Sequence, residues 1–286
     1  MASVKDTGCN FRMIARKLHP VSFAHVSFLL TLALAVPVAA QDVKPFEPVV
    51  GQAGKDVVWV PTPPELVEKM LDLAKVTSKD YVIDLGSGDG RNVIAAARRG
   101  ADALGVEYNP DMVALSKQRA DEAGVSRRAK FVQGDMYAAD ISKASVMALF
   151  LLPSNMMQLR EKFLALEPGT RIVSNTFGVD GWEPDERATL EICEQWCTAL
   201  LWIVPARVEG TWRLDEGELL LDQEYQIVTG SFAGRPIADG RLRGEAITFT
   251  AGGAQYTGRV RGNTIEGTAT SGASTSTWRA RRQRTQ

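Results

Sequence analysis

Residues 81–100 read YVIDLGSGDGRNVIAAARRG. An apolar run closes on Asp84, glycines follow at 86, 88 and 90, and an alanine-rich stretch begins after them. A short apolar run bounded by glycine is a buried strand, and the stretch from 91 to 99, ended by Gly100, is a helix. Glycine at such a turn permits positive φ and lets a ligand touch the main chain. The helix N-terminus beyond it offers unpaired N–H groups and the positive end of a dipole. An anionic or nucleoside-bearing ligand is the natural occupant. A lone G-x-G-x-G is weak evidence, because strand-to-helix turns also carry glycines for packing.

Outward from this turn the pattern repeats. Strands are expected at 81–85, 103–107, 129–133, 146–152 and 171–175, and helices at 91–99, 110–123 and 154–166. Before them, Thr62-Pro63-Pro64-Glu65 reads as a capping box, with Leu66, Val67, Met70, Leu71 and Ala74 at helical spacing over 63–75. Strands alternating with helices imply right-handed crossovers and a parallel, doubly wound sheet. A further helix over 185–197 and a strand over 199–204 complete this part. From about 205 the composition turns to Gly, Thr and Arg with short alternating strands. GRLRGEAITFT (240–250) is echoed by GRVRGNTIEGT (258–268), as expected of successive hairpins in a small β-meander or barrel. Trp212, Phe232, Phe249, Tyr256 and Trp278 are its candidate core. The expected fold is α/β, a doubly wound Rossmann-like sheet over 41–204 followed by a small all-β domain over 205–286.

The first forty residues differ. Arg12, Arg16 and Lys17 precede an apolar run from 26 to 36, and Val38-Ala39-Ala40 resembles a small-residue cleavage site. This is read as a secretory signal peptide or an N-terminal anchor, which places the body of the protein outside the cytosol, exported or membrane-anchored. Both histidines, His19 and His25, lie in this segment. The remainder therefore offers no Ser-His-Asp triad, no Cys-His dyad and no His-ligated metal, and no metal is expected. Cys193 and Cys197, four apart on the expected helix, read as two packed thiols rather than a disulfide. A formal net charge of −1 supplies no basic field for nucleic acid.

Polar groups end three successive expected strands. Glu107 follows the glycine turn by about twenty residues, where a carboxylate accepts both hydroxyls of an adenosine ribose. Asp135 and Met136 end the next strand, suited to the edge and face of an adenine. NAD and S-adenosylmethionine both fit. The G-x-G-x-G spacing and the absence of a second nucleotide-binding half favour S-adenosylmethionine.

Asp84-Leu85-Gly86-Ser87-Gly88-Asp89-Gly90 resembles motif I of class I S-adenosylmethionine-dependent methyltransferases. Together with VPTPPELVEKML (60–71), GVEYNPDMVALS (105–116) and FLLPSNMMQLREKFLALEPGTRIVSNTF (150–177), it resembles lysine methyltransferases of the ATP synthase c-subunit type, over residues 55 to about 185. The resemblance implies S-adenosyl-L-methionine as cofactor and a protein-lysine acceptor, with a small-molecule acceptor or a non-catalytic, exported adenosine-binding role as alternatives. It implies a cofactor site of Asp84, Gly86, Ser87, Gly88, Gly90, Glu107, Asp135 and Met136. Pro61, Thr62, Pro153 and Asn155 are expected to line the acceptor channel. For Thr62 a helix cap, and for Asn155 an ordinary N-terminal helix contact, are the competing readings. Trp182 is read as a core residue, with closure of the site as its alternative. Export and a cofactor made in the cytosol pull in different directions.

Overall fold

The computed structural model describes residues 46–283. The segment read as a signal or anchor lies outside the described residues. Nine elements carry the α/β layer up to residue 175: α1 (Pro64–Leu73), β1 (Tyr81–Leu85), α2 (Arg91–Arg98), β2 (Asp102–Glu107), α3 (Pro110–Glu122), β3 (Ala129–Gln133), β4 (Val146–Leu149), α4 (Pro153–Leu164) and β5 (Arg171–Asn175). Two more strands, β6 (Glu186–Thr189) and β7 (Thr198–Ile203), complete a seven-stranded sheet in the order β3-β2-β1-β4-β5-β7-β6. The first five strands pair in parallel; β7 runs antiparallel to both β5 and β6.

The central strands are apolar on both faces because both faces are covered. Val82, Ala148, Val173 and Leu201 point into one cluster with Leu66, Met70 and Leu71 of α1 and Val93 and Ala96 of α2. Ile83, Leu85, Met147, Leu149, Ile172 and Trp202 point into another with Met156, Leu159 and Phe163 of α4. Successive residues of one strand thus serve opposite layers. The alanines of α2 (Ala95, Ala96 and Ala97, all buried) let that helix lie close to the sheet.

Three local expectations are corrected. Pro63 is the N-cap of α1 and makes no side-chain cap bond, so the capping box at 62–65 does not form. The stretch 185–197 is not a helix. It is edge strand β6 and a tight turn into β7, with half-buried and exposed positions alternating along β6. An edge strand covered on one side buries too little to leave an apolar signature, and Leu190 and Ile192 imitate a helical period instead. That turn places Cys193 and Cys197 with Cα atoms 5.8 Å apart, and they form a disulfide. Four residues of helix would have held the two thiols in another geometry.

The remaining strands are β8 (Gly210–Leu214), β9 (Gly217–Glu224), β10 (Ile227–Phe232), β11 (Arg235–Pro236), β12 (Ala238–Arg243), β13 (Ala246–Ala251), β14 (Ala254–Arg261), β15 (Thr264–Ser271) and β16 (Ser274–Arg282). Leaving aside the two-residue β11, they run antiparallel in the order β10-β12-β13-β14-β15-β16-β8-β9, and β9 pairs back onto β10. An eight-stranded barrel results, and closure removes the exposed edges of an open sheet. The repeat seen in the sequence is the β12–β13 and β14–β15 hairpins. Leu242 and Val260 occupy one matched buried position and Ile247 and Ile265 another. Inside, the rings of Phe249 and Tyr256 stack 4.8 Å apart and Trp278 meets both edge-on.

Barrel and sheet meet through Trp182, which is buried and stacks on Tyr225 at 5.3 Å. Its other neighbour is Trp202 of β7, whose indole N–H donates to the Trp182 carbonyl at 2.7 Å. Trp182 is a junction residue and does not close the site. Asp185 and Glu186 pair with Arg241 and Arg243 of β12 across the same junction.

Gly258 has no room for a side chain, since a Cβ there would lie 2.8 Å from the Trp278 ring. Gly258→Val should expel Trp278 from the barrel and destabilise it by about 1–3 kcal/mol, the usual cost of overpacking. A lowered melting temperature with red-shifted tryptophan emission is the expected result, and an unchanged melt would contradict the packing described.

Candidate active site

The carboxyl ends of β1, β2 and β3 meet the loop that precedes α1. Gly86 and Gly88 both take positive φ, +68° and +53°, and their backbone turns the chain from β1 toward α2. The turn is held by its neighbour. Gly86 N and Ser87 N donate to the Val106 carbonyl, and Gly88 N donates to Glu107 Oε2 at 2.9 Å. The other oxygen of Glu107 accepts from Asn109 N, also at 2.9 Å. Each oxygen keeps a free lone pair, and Glu107 faces a cleft with Gly86, Gly88, Met112, Asp135 and Met136. Glu107 is therefore oriented by the backbone before any ligand arrives.

Asp84 is buried at the end of β1 and accepts from Asn92 Nδ2 at 3.1 Å. Burial pushes its carboxyl well above the usual carboxylate range; Asn92 opposes this, and the nearby Glu107 and Asp89 add to it. Asp89 differs. Burial works against its charge too, but Arg91 and Arg119 outweigh that, and its carboxyl lies below the ordinary value. Arg91 also donates to the Thr62 carbonyl at 2.5 Å, which ties the start of α1 to the glycine turn.

The cleft is roofed by residues 52–59. Trp59 N donates to the Gln52 carbonyl at 3.0 Å and Gly51 N to the Trp59 carbonyl at 2.8 Å, closing the loop on itself. Lys55 at its tip pairs with Asp135 at 2.7 Å and lies 5.2 Å above the Tyr108 ring. That pair, with the Tyr137 amide also donating to Asp135, holds the Asp135 carboxyl below its usual value. Trp59 at the other end packs against Gly88. A second, smaller cleft continues under the loop, lined by Trp59, Pro61, Thr62, Asp84, Ser87, Asn92 and Phe150.

Ten of the twelve expected site residues surround this turn, and nine of them line one cleft or the other. Gly90 is the tenth; it caps α2, where a Cβ would collide with the Phe131 ring at 2.7 Å, so its role is packing. Pro153 and Asn155 line neither cleft. Asn155 holds the first turn of α4, accepting from Leu152 N at 3.2 Å and donating to the Tyr137 hydroxyl at 2.7 Å. Thr62 is buried, and its hydroxyl accepts from Asn175 Nδ2 at 3.4 Å instead of capping α1. Lys55, Trp59, Asn92, Tyr108 and Phe150 escaped the sequence reading. Only Trp59 left a signal there, as a lone tryptophan in a Pro- and Val-containing lead-in.

Comparison with known proteins follows this geometry. The profile of the ANTKMT methyltransferase domain matches residues 84–186. A protein-lysine N-methyltransferase of Saccharolobus islandicus (strain REY15A) is 39% identical over 151 residues, 52% of this chain and 94% of that protein. The chain belongs to this family of class I S-adenosylmethionine-dependent methyltransferases. The ATP synthase c-subunit lysine N-methyltransferase of Mus musculus is 38% identical over 154 residues, 48% of this chain and 62% of that protein. A crystal structure of an RNA methyltransferase from Salinibacter ruber in complex with S-adenosyl-L-homocysteine is 46% identical, covers 52% of this chain and 96% of its own, and superposes with a TM-score of 0.49.

The cofactor is S-adenosyl-L-methionine, and the methyltransferase has the residues to hold it. Two buried polar atoms beside the turn, Ser87 Oγ and Asn92 Oδ1, have no partner among the described residues. Beside them stand the bare glycine backbone, the preoriented Glu107 and a buried carboxyl ready to answer a positive charge. Glu107 suits a ribose, Met136 and the Asp135 region an adenine, and Asp84 with the glycine turn a cationic amino-acid moiety.

Two outcomes are expected. At Gly88 a Cβ would lie 2.8 Å from Trp59 Nε1, and non-glycine residues at this φ are strained by about 1–2 kcal/mol. Gly88→Val should abolish binding of S-adenosyl-L-homocysteine in calorimetry while the circular dichroism spectrum is retained; unchanged binding would place the cofactor elsewhere. For Asp84, a carboxyl raised in the folded state contributes stability below the ordinary carboxylate range and loses it as pH rises through the folded value. Ligand-free Asp84→Asn should therefore lose less stability than wild type in thermal melts as pH rises above about 4, the ordinary carboxylate value. Parallel curves would show that this carboxyl does not titrate as described.

Proposed function

We propose that this protein transfers methyl groups from S-adenosyl-L-methionine to the ε-amine of a lysine in a protein acceptor. One observation carries the reading. The adenosine-side cleft passes Gly86 and Gly88 into the smaller cleft, and both share Trp59, Val60 and Phe150. A donor laid along the turn thus has its reactive end at a slot walled by Pro61, Thr62 and Phe150.

When bound, the cofactor supplies an electrophilic methyl group on a sulfonium, a good leaving group, so alignment and a neutral nucleophile matter more than a strong base. The chain's own residues meet those needs. The loop at 52–59 excludes water over the turn. Phe150 and Pro61 give the slot an apolar wall that disfavours an ammonium and so favours the neutral amine. The acceptor amine sheds its proton to solvent before it enters the slot, which leaves Asp84 to face the positive charge of the cofactor. No imidazole is needed. The relatives support a protein acceptor, since they are named for lysine in the ATP synthase c-subunit and, in a further mouse relative 36% identical over 120 residues, in adenine nucleotide translocase.

The same reading extends to location. We infer that the acceptor is membrane-associated and that the enzyme works on the exported side, anchored or released. The basic residues and apolar run at 12–36 support this. So does the Cys193–Cys197 disulfide, a bond that persists in oxidising compartments.

Methyl-labelled cofactor, added with purified enzyme to membrane and soluble fractions from cells lacking the gene, should label lysine in a membrane protein, read by mass spectrometry of the digest. Label confined to small molecules would point to a small acceptor. Intact cofactor binding with no transfer to any fraction would leave a binding protein.

A further inference from the structure

An aromatic surface leads outward from the two clefts. Phe150 follows β4 and lines both clefts. Its ring stacks on Phe177, just past β5, at 6.2 Å and 14° between planes. On another side it meets Trp196 at 6.0 Å, tilted by 59°. The rings lead outward: Phe150 and Phe177 are half-buried, and Trp196 is 36% exposed.

The backbone under this surface is strained on both sides. Thr176 and Trp196 are non-glycine residues with φ of +59° and +52°. Such conformations cost of order 1–3 kcal/mol each and persist where the surroundings hold them. The surroundings here are specific. Thr176 N donates to the Thr198 carbonyl at 2.7 Å, and Leu190 N to the Cys197 carbonyl at 2.9 Å. The Cys193–Cys197 disulfide closes the turn that carries Trp196. An exposed tryptophan in a strained conformation brings the core nothing. Its placement makes sense as a surface for something that approaches Phe150 from outside. The domain profile shared with relatives stops at residue 186, so Trp196 stands outside that matched region.

We propose that Trp196, presented by the disulfide-closed turn, is a specificity-determining residue that receives the lysine-bearing segment of the acceptor and holds its cationic head at the outer mouth of the slot. The chemistry is cation–π attraction, which is strongest on tryptophan and is as available to methylated lysine as to free lysine. The disulfide acts through Trp196: it is a positioning element, and its loss frees the ring from Phe150. This inference rests on the lysine methyltransferase reading, which supplies the cationic acceptor.

The test is titration of a trimethyllysine peptide against the full chain loaded with S-adenosyl-L-homocysteine, with calorimetry of S-adenosyl-L-homocysteine itself in parallel. Trp196→Gly adopts the same backbone without strain, so the melting temperature should be kept or raised. Its peptide affinity should nevertheless fall roughly tenfold, the scale of one cation–π contact. Trp196→Phe should restore most of that affinity. Cys193→Ser combined with Cys197→Ser should resemble Trp196→Gly for the peptide, and all variants should bind S-adenosyl-L-homocysteine as wild type does. In methylation assays the loss should appear in the acceptor KM, with kcat little changed. Peptide affinity indifferent to Trp196, or a loaded wild-type protein that does not bind the peptide, would overturn the inference alone. Failure of wild type to bind S-adenosyl-L-homocysteine would overturn the underlying reading together with it.

Discussion

The amide of Gly88 donates to the Glu107 carboxylate, and through that contact the ends of two adjacent parallel strands are fastened together. Much else depends on it. The glycine turn holds its shape because its N–H groups spend themselves on β2, and Glu107 faces the cleft because two main-chain donors fix both its oxygens. Ligand-binding groups oriented in advance lose little freedom on binding, and this is where a rigid sheet edge serves chemistry better than a flexible loop.

Charge around the turn is arranged by unequal burial. Asp84, Asp89 and Glu107 crowd one strand end; burial raises the proton affinity of Asp84, and its two acidic neighbours add to the rise. Asp89 escapes through Arg91 and Arg119, and Arg91 also fastens the lead-in to α1 through the Thr62 carbonyl. Asp84 does not escape. It has Asn92 and no cation, so a positively charged ligand would find there the counter-charge that the protein withholds from itself. A carboxylate held by two arginines and a buried carboxyl that neither reaches thus lie five residues apart in the same turn.

Much of the α/β layer was legible because its strands and helices bury apolar residues at their own periods. The 81–85 run, the alanines of α2 and the stepwise strand ends at Glu107 and Asp135 carry the architecture and the cofactor half of the site. The acceptor half was less legible. Thr62 looked like a cap because its spacing to Glu65 suits one, yet Asn175, far away in sequence, claims its hydroxyl. Asn155 looked like a channel residue and is spent on α4 and Tyr137. The stretch 185–197 looked helical, and pairing with β7 made it an edge strand with a disulfide turn. For Thr62 and for the 185–197 stretch, a partner outside the local pattern outcompeted it, whereas Asn155 makes the ordinary N-terminal helix contact that was its competing reading.

The sequence alone determined the order of strands and helices up to β5, the bare turn after the first strand and the carboxylate that follows it, since these follow from local periodicity and from what glycine permits. Tertiary structure alone decided which aromatic rings line the cleft and which are spent at the barrel junction. It also brought Lys55 onto Asp135 and Trp59 onto Gly88, and turned two cysteines into a clasp under Trp196. Lys55 and Asp135 are 80 residues apart and Trp59 and Gly88 are 29 apart (88 − 59), and the clasp depends on a turn set by strand pairing. No local preference encodes a meeting that only the folded sheet brings about.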